Sequence, residues 1–233
     1  MIRFRTLPKF AVLAVTAVTL SACFDLDQKV AIGRDGSGSY EIAVAAEGMV
    51  GDGLKQDHDN MLAPNKAISR TETVNGKVVR SAHVDFANLS DLSFGSEAIS
   101  LHVLNRSLFG LGPTAVRFRR VFLVDHAEKD RARDHHDDDM SREVLQAFFG
   151  GHTYTFSVTL PGSVDRIAAV TVDGMEIKPE VTGDFYHGHT ITWRMPLSVA
   201  LSAKEIAFEV DFSAYGTFAD AQTRTALPGK SGA

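Results

Sequence analysis

The sequence has one cysteine among 233 residues, Cys23, and this excludes an internal disulfide. A fold built from this chain holds by packing alone. It has one tryptophan and seven prolines. Outside positions 10–22 no apolar run approaches the roughly 20 residues needed for a spanning helix. Basic excess is also lacking, with 24 Lys and Arg against 29 Asp and Glu. An acidic chain argues against a nucleic-acid partner and against a broad electrostatic hold on anionic lipid. Catalytic signatures are missing as well. There is no Gly-x-Ser-x-Gly elbow, no His-x-x-x-His pair and no EF-hand spacing. Gly36-Ser37-Gly38 joins two expected strands, whereas a phosphate loop joins a strand to a helix. The expectation is a protein that is not an enzyme and needs no cofactor.

What is present begins with an address. Arg3, Arg5 and Lys9 precede a nearly continuous apolar stretch, Phe10 to Ala22, and the small residues Ser21 and Ala22 stand before Cys23. A basic start, a short apolar core and small residues before a cut define a secretory signal, expected over 1–22. Leu20-Ser21-Ala22-Cys23 resembles the lipobox of bacterial lipoproteins. The resemblance implies cleavage before Cys23 and lipidation of its sulfur, with further acyl chains such as palmitate. Two or more chains anchor stably where one holds only reversibly. The expected site is the bacterial cell envelope, with the membrane as partner through Cys23. In enteric-type sorting an Asp after the cysteine retains a lipoprotein at the inner membrane. Phe24 stands there, so the periplasmic face of the outer membrane is expected if the source is Gram-negative.

Removing Arg3, Arg5 and Lys9 leaves 21 basic residues against 29 acidic ones, a net charge of −8 for the mature chain. Alternation with period two then dominates. Phe24, Leu26, Val30 and Ile32 share one face, and Asp25, Asp27 and Lys29 the other. The turn Arg34 to Gly38 leads into Tyr40, Ile42, Val44 and Ala46, which predicts a hairpin. Gly48 to Leu62 reads as a weak helix ended by Pro64. Asn75-Gly76 marks a second hairpin. Further strands are expected at Ala98–Leu104 and Thr114–Val124, where Arg120 shares the face of Val116, Phe118 and Phe122. Met140, Val144, Leu145 and Phe148 suggest a short amphipathic helix. Tyr154, Phe156, Val158 and Leu160 alternate with threonine and serine in the clearest strand. Ala168–Val172 with a turn at Asp173-Gly174, then Ile191–Met195 and Ile206–Phe212, complete the set. The fold class expected is α+β, mainly antiparallel sheet built from hairpins with two or three short helices. It forms a single domain over 23–218 with a disordered tail over 219–233.

Three segments resemble the LppM-type lipoprotein domain, a bacterial envelope family with an α+β fold. They are Cys23 running into the first strand and the Asp35-Gly36-Ser37-Gly38 turn, Phe156 to Val164, and Thr190 to Leu197. The resemblance implies a role at the envelope surface or in lipid-related binding, and it carries no catalytic motif.

Two stretches are candidates for chemistry. The run around Asp134-His135-His136-Asp137-Asp138-Asp139 has metal-ligand types, with His135, His136, Asp137 and Asp138 foremost. Adjacent residues rarely converge on one ion, so a solvated loop is expected, with a metal-dependent hydrolase as the enzymatic alternative. His187-Gly188-His189 is read as an exposed hairpin loop in the same way. The second stretch is Leu108-Phe109-Gly110-Leu111-Gly112-Pro113, unusually apolar for a turn and flanked by Arg106, Arg117, Arg119 and Arg120. Leu108, Phe109 and Leu111 either fold back on the core or contact an apolar ligand or the membrane, with the arginines at head-group level. The functional expectation is a membrane-anchored envelope lipoprotein that binds a lipid or other apolar ligand. The alternative is a protein-interaction or structural lipoprotein with an envelope protein partner.

Overall fold

The computed structural model describes residues 24–48, 51–52, 54, 63–94, 97–106, 112–123, 149–184 and 187–225. Of these, 65% lie in strands and 9% are helical. The strands are β1 (Phe24–Ile32), β2 (Gly38–Ala46), β3 (Ile68–Val74), β4 (Lys77–Phe86), β5 (Ser93–Phe94) and β6 (Glu97–Asn105). They continue as β7 (Thr114–Leu123), β8 (Thr153–Leu160), β9 (Ser163–Ile167), β10 (Val170–Val172) and β11 (Met175–Ile177). The last are β12 (Glu180–Asp184), β13 (Gly188–Pro196), β14 (Glu205–Ala214), β15 (Ala221–Gln222) and β16 (Arg224–Thr225). The one α-helix described from end to end, α1 (Leu197–Ser202), sits between β13 and β14.

Two sheets carry the fold. One is seven-stranded in the order β12-β13-β8-β1-β2-β4-β3, and the other five-stranded in the order β15-β6-β7-β14-β9. Each strand hides alternate residues. In β8, Tyr154, Phe156, Val158 and Leu160 are buried while Thr153, Thr155, Ser157 and Thr159 are half-buried. In β14, Ile206, Phe208, Val210 and Phe212 are buried in the same rhythm. The two apolar faces meet across ring contacts. Phe156 lies 4.7 Å from Phe208 between centroids, Trp193 5.0 Å from Phe208, and Phe118 6.5 Å from Phe156. Burying large aromatic side chains between layers is the main favourable term here.

This corrects the expected α+β class. The chain is mostly β, because each sheet's apolar face is covered by the other sheet, and the described helical structure is short. The larger sheet is mixed, since β1 pairs parallel with β8, from Leu26 opposite Tyr154 to Ala31 opposite Thr159. The helix expected over 48–62 lies mostly outside the described residues, and that over 140–148 lies entirely outside them.

The two hairpin turns stand where turn chemistry puts them. Asn75 and Gly76 have φ of 52° and 82°, and Asp173 and Gly174 have 49° and 78°, the left-handed pair of a type I′ turn. Beyond Ala219 the chain still pairs. Ala221 and Gln222 face Leu101 and Ser100 of β6, and Thr223 is buried with its hydroxyl accepting from Ile99 N–H.

Candidate functional site

The described chain starts as a strand. Phe24 N–H donates to Nδ1 of His152 at 2.7 Å, and Asp25 Oδ1 accepts from Thr153 N–H at 3.2 Å. The Phe24 ring meets Phe149 edge-on at 6.1 Å, and Phe149 meets His152 at 6.3 Å. Lys77 lies 3.8 Å from Asp25 and 3.7 Å from Glu47. Beside this corner is an open cleft of about 340 Å³ lined by Gly150 to Thr153 and Arg194 to Pro196. Its guanidinium, on Arg194, is already paired with Glu180 at 2.7 Å. The corner therefore presents backbone, His152 with one nitrogen in use, Lys77 beside Asp25 and Glu47, and Arg194 paired with Glu180.

The opposite end carries the strands that flank the apolar turn. β6 ends at Asn105 and β7 starts at Thr114. Arg106 donates to the Phe218 carbonyl at 3.4 Å, and Thr217 N–H donates to the Arg34 carbonyl at 2.9 Å. These bonds tie that end to the β1–β2 turn, away from Phe24. Leu108, Phe109 and Leu111 themselves lie outside the described residues, as do Cys23, His135, His136, Asp137 and Asp138. The neighbouring arginines lie near protein partners. Arg117 makes a two-pronged pair with Asp211 at 2.7 and 3.1 Å, and that hydrogen bond holds the Asp211 carboxyl below its ordinary range. Arg119 lies 3.8 Å from Glu205. Arg120 is wholly buried.

The other histidines do not converge. His187 sits at an exposed turn with Nδ1 2.9 Å from Asp184, and His189 points Nδ1 at the Gly162 carbonyl, 2.7 Å away. His83 and His102 are exposed, as their strand parity requires. Among the described residues no group of three His, Cys, Asp or Glu side chains could hold a metal ion.

A polar cluster inside the sandwich is the site that sequence reading left unassembled. Arg120 of β7 donates through Nε to Glu97 Oε2 at 2.7 Å, through Nη1 to the Tyr154 hydroxyl at 2.5 Å and through Nη2 to Gln28 Oε1. Tyr40 donates to Glu97 Oε1 at 2.8 Å, and Gln28 Nε2 donates to the Tyr40 hydroxyl at 3.1 Å. The Arg120 guanidinium lies 4.3 Å from the centroid of Phe156. Both sheets thus contribute, and every charged atom has a partner, which is what makes a buried ion pair tolerable. The signal was there in part. Arg120 shares a face with Phe118 and Phe122, and Gln28 with Leu26 and Val30, so polar side chains occupy inward positions.

Burial works against the Arg120 charge, but Glu97 and the two phenols outweigh it and its pKa is raised. Burial, then the Glu97 carboxylate, pushes the Tyr40 phenol well above its usual value, and burial pushes Tyr154 up. Stability from these phenols is fully present below the unfolded tyrosine pKa of about 10 and is lost as pH rises beyond it. The urea midpoint is expected to hold steady up to about pH 10 and fall above it, and Tyr40→Phe should flatten that fall. An equally steep fall in Tyr40→Phe would show that another group carries it.

No protein-family model matches the sequence, and no curated protein matches it. Among solved structures the chain is similar to the folded domain of the LppM protein of Mycobacterium tuberculosis, determined by NMR. Identity is 12% and the TM-score 0.40, over 85% of this chain and 95% of that one.

Proposed function

We propose that this chain is a lipid-anchored lipoprotein of the bacterial envelope, tethered through Cys23, that works through its outer surface as an interaction or structural protein. One observation carries the choice of surface over interior. The space between the sheets is filled by Phe118, Phe156, Trp193, Phe208 and the Arg120 cluster, each buried and in contact. A binding module for a lipid would instead keep a concave apolar pocket. Leu20-Ser21-Ala22-Cys23 supports the anchor, and the first described strand starts at Phe24, one residue after that cysteine. Among the described residues no helix is long and apolar enough to cross a membrane. Phe24 after the cysteine favours the outer membrane's periplasmic face in a Gram-negative source.

The test has two arms. Metabolic labelling with a palmitate analogue is expected to mark the full chain and leave Cys23→Ala unmarked and uncut at this site. A labelled Cys23→Ala would overturn the anchor. Mass spectrometry of the organic extract of purified protein is expected to find no lipid at a fixed ratio to the chain, because the covalent lipid stays with the protein. A free lipid at one per chain would restore the ligand-binding reading.

A further inference from the structure

Strand β3 closes one edge of the seven-stranded sheet, and all seven of its residues are exposed, Ile68 to 77% and Val74 to 45%. An open edge is a template for another strand, and proteins blunt it with lysine, proline or a bulge. Ile68-Ser69-Arg70-Thr71-Glu72-Thr73-Val74 contains neither residue, and its register with β4 runs without a break.

We propose that two copies of this chain join antiparallel through β3, about a two-fold axis at Thr71, to make one continuous sheet. The backbone sets the parity. Asn75 and Gly76 form a two-residue turn, so Val74 and Lys77 are its hydrogen-bonded closing pair. Bonded and non-bonded pairs alternate from there, which turns the N–H and C=O of Thr71 and Thr73 away from β4, towards the side where no described strand pairs. A two-fold at Thr71 lets the two Thr71 residues exchange both bonds.

The side chains set the register. With Thr71 at the axis, Arg70 stands opposite the partner's Glu72, and Ile68 opposite the partner's Val74. All four lie on the sheet's outer face, since they pair with Ser81, Val79, His83 and Lys77 of β4, whereas inward positions pair with Val78 and Ala82. Thr73 falls opposite the partner's Ser69 on the other face. Moving the axis to Thr73 would place Glu72 opposite Val74, and moving it to Ser69 would place Arg70 opposite Ile68. Only the Thr71 register matches charge with charge and apolar with apolar, and an isologous interface requires this self-complementarity. Within one copy, Arg70 and Glu72 lie 3.2 Å apart, so the dimer would gather four alternating charges. The edge names a partner for the outer surface, and the argument stands on β3 whether or not Cys23 is lipidated.

The test is disulfide trapping in the full-length protein. Thr71→Cys is expected to give a covalent dimer on mild oxidation, seen on a non-reducing gel. Ser69→Cys should give little, because its twin is four positions out of register, about 13 Å along the strand. The unmodified chain, with Cys23 alone, is the background. Adding Glu72→Arg to Thr71→Cys sets arginine against arginine and should cut the dimer about tenfold. Adding Arg70→Glu as well should recover it. Equal trapping at Ser69 and Thr71, or none at Thr71, would overturn the proposal. A detergent-solubilised wild type that sediments as a monomer at every concentration tested would overturn it too.

Discussion

Arg120→Ala is expected to lower the free energy of unfolding by about 3–5 kcal/mol, the cost of stranding one partner of a buried ion pair. Glu97 is 3% exposed and would keep a carboxylate between two sheets with only the Tyr40 hydroxyl on it. A domain of this size has about 5–15 kcal/mol to lose, so the urea midpoint should fall steeply or folding should fail. The pair itself is a different matter. Replacing both partners by apolar residues, Arg120→Met with Glu97→Leu, should restore most of the loss or exceed it, because the desolvation cost disappears with the charges. Tyr154 donates to Gln28 at 2.7 Å and Gln28 to Tyr40, so the other polar groups would stay bonded to one another. A double variant as unstable as Arg120→Ala alone would show that the guanidinium is needed for shape or stacking.

Local order was legible in the sequence because period two needs only neighbours. The inward parity of β8, β13 and β14 follows directly from their apolar alternation, and the glycine turns at Asn75-Gly76 and Asp173-Gly174 from their need for positive φ. Partnering was not legible. β1 and β8 pair in parallel across more than a hundred residues, and a parallel pair is closed by a long crossover with no turn to announce it. The expected helices came from apolar spacing over 48–62 and 140–148, whereas among the described residues a second sheet covers the apolar strand faces. The polar cluster shows the same limit. Arg120 on an apolar face could be seen from parity alone. Its partners come from four other strands, and only the folded register brings Gln28, Tyr40, Glu97 and Tyr154 within reach. The partners of Arg117 and Arg119, Asp211 and Glu205, were hidden in the same way, since they lie some ninety residues further along the chain.

Phe156→Ala should be comparably damaging, by about 3–5 kcal/mol, through a different cause. The Phe156 ring is wholly buried and touches three others. Trp193 is stacked at 5.7 Å and 13°, Phe208 tilted at 4.7 Å, and Phe118 stacked at 6.5 Å. Four strands converge on it, so their strand geometry resists collapse into the space it leaves. Phe156→Leu separates the ring from its volume. Leucine keeps an apolar side chain of similar size, so a small cost is expected from packing, with more from the lost ring contacts. Part of that loss belongs to Arg120, whose guanidinium lies 4.3 Å above the ring with both groups wholly buried. A desolvated cation over an aromatic face is worth about 2 kcal/mol. In the Arg120→Met, Glu97→Leu background, Phe156→Leu should therefore cost less than in the wild type by about 1–2 kcal/mol, the coupling term of a double-mutant cycle. Urea unfolding of the four proteins measures it. An identical cost in both backgrounds would mean that the ring holds the sheets together by packing alone, with the buried charge as a bystander.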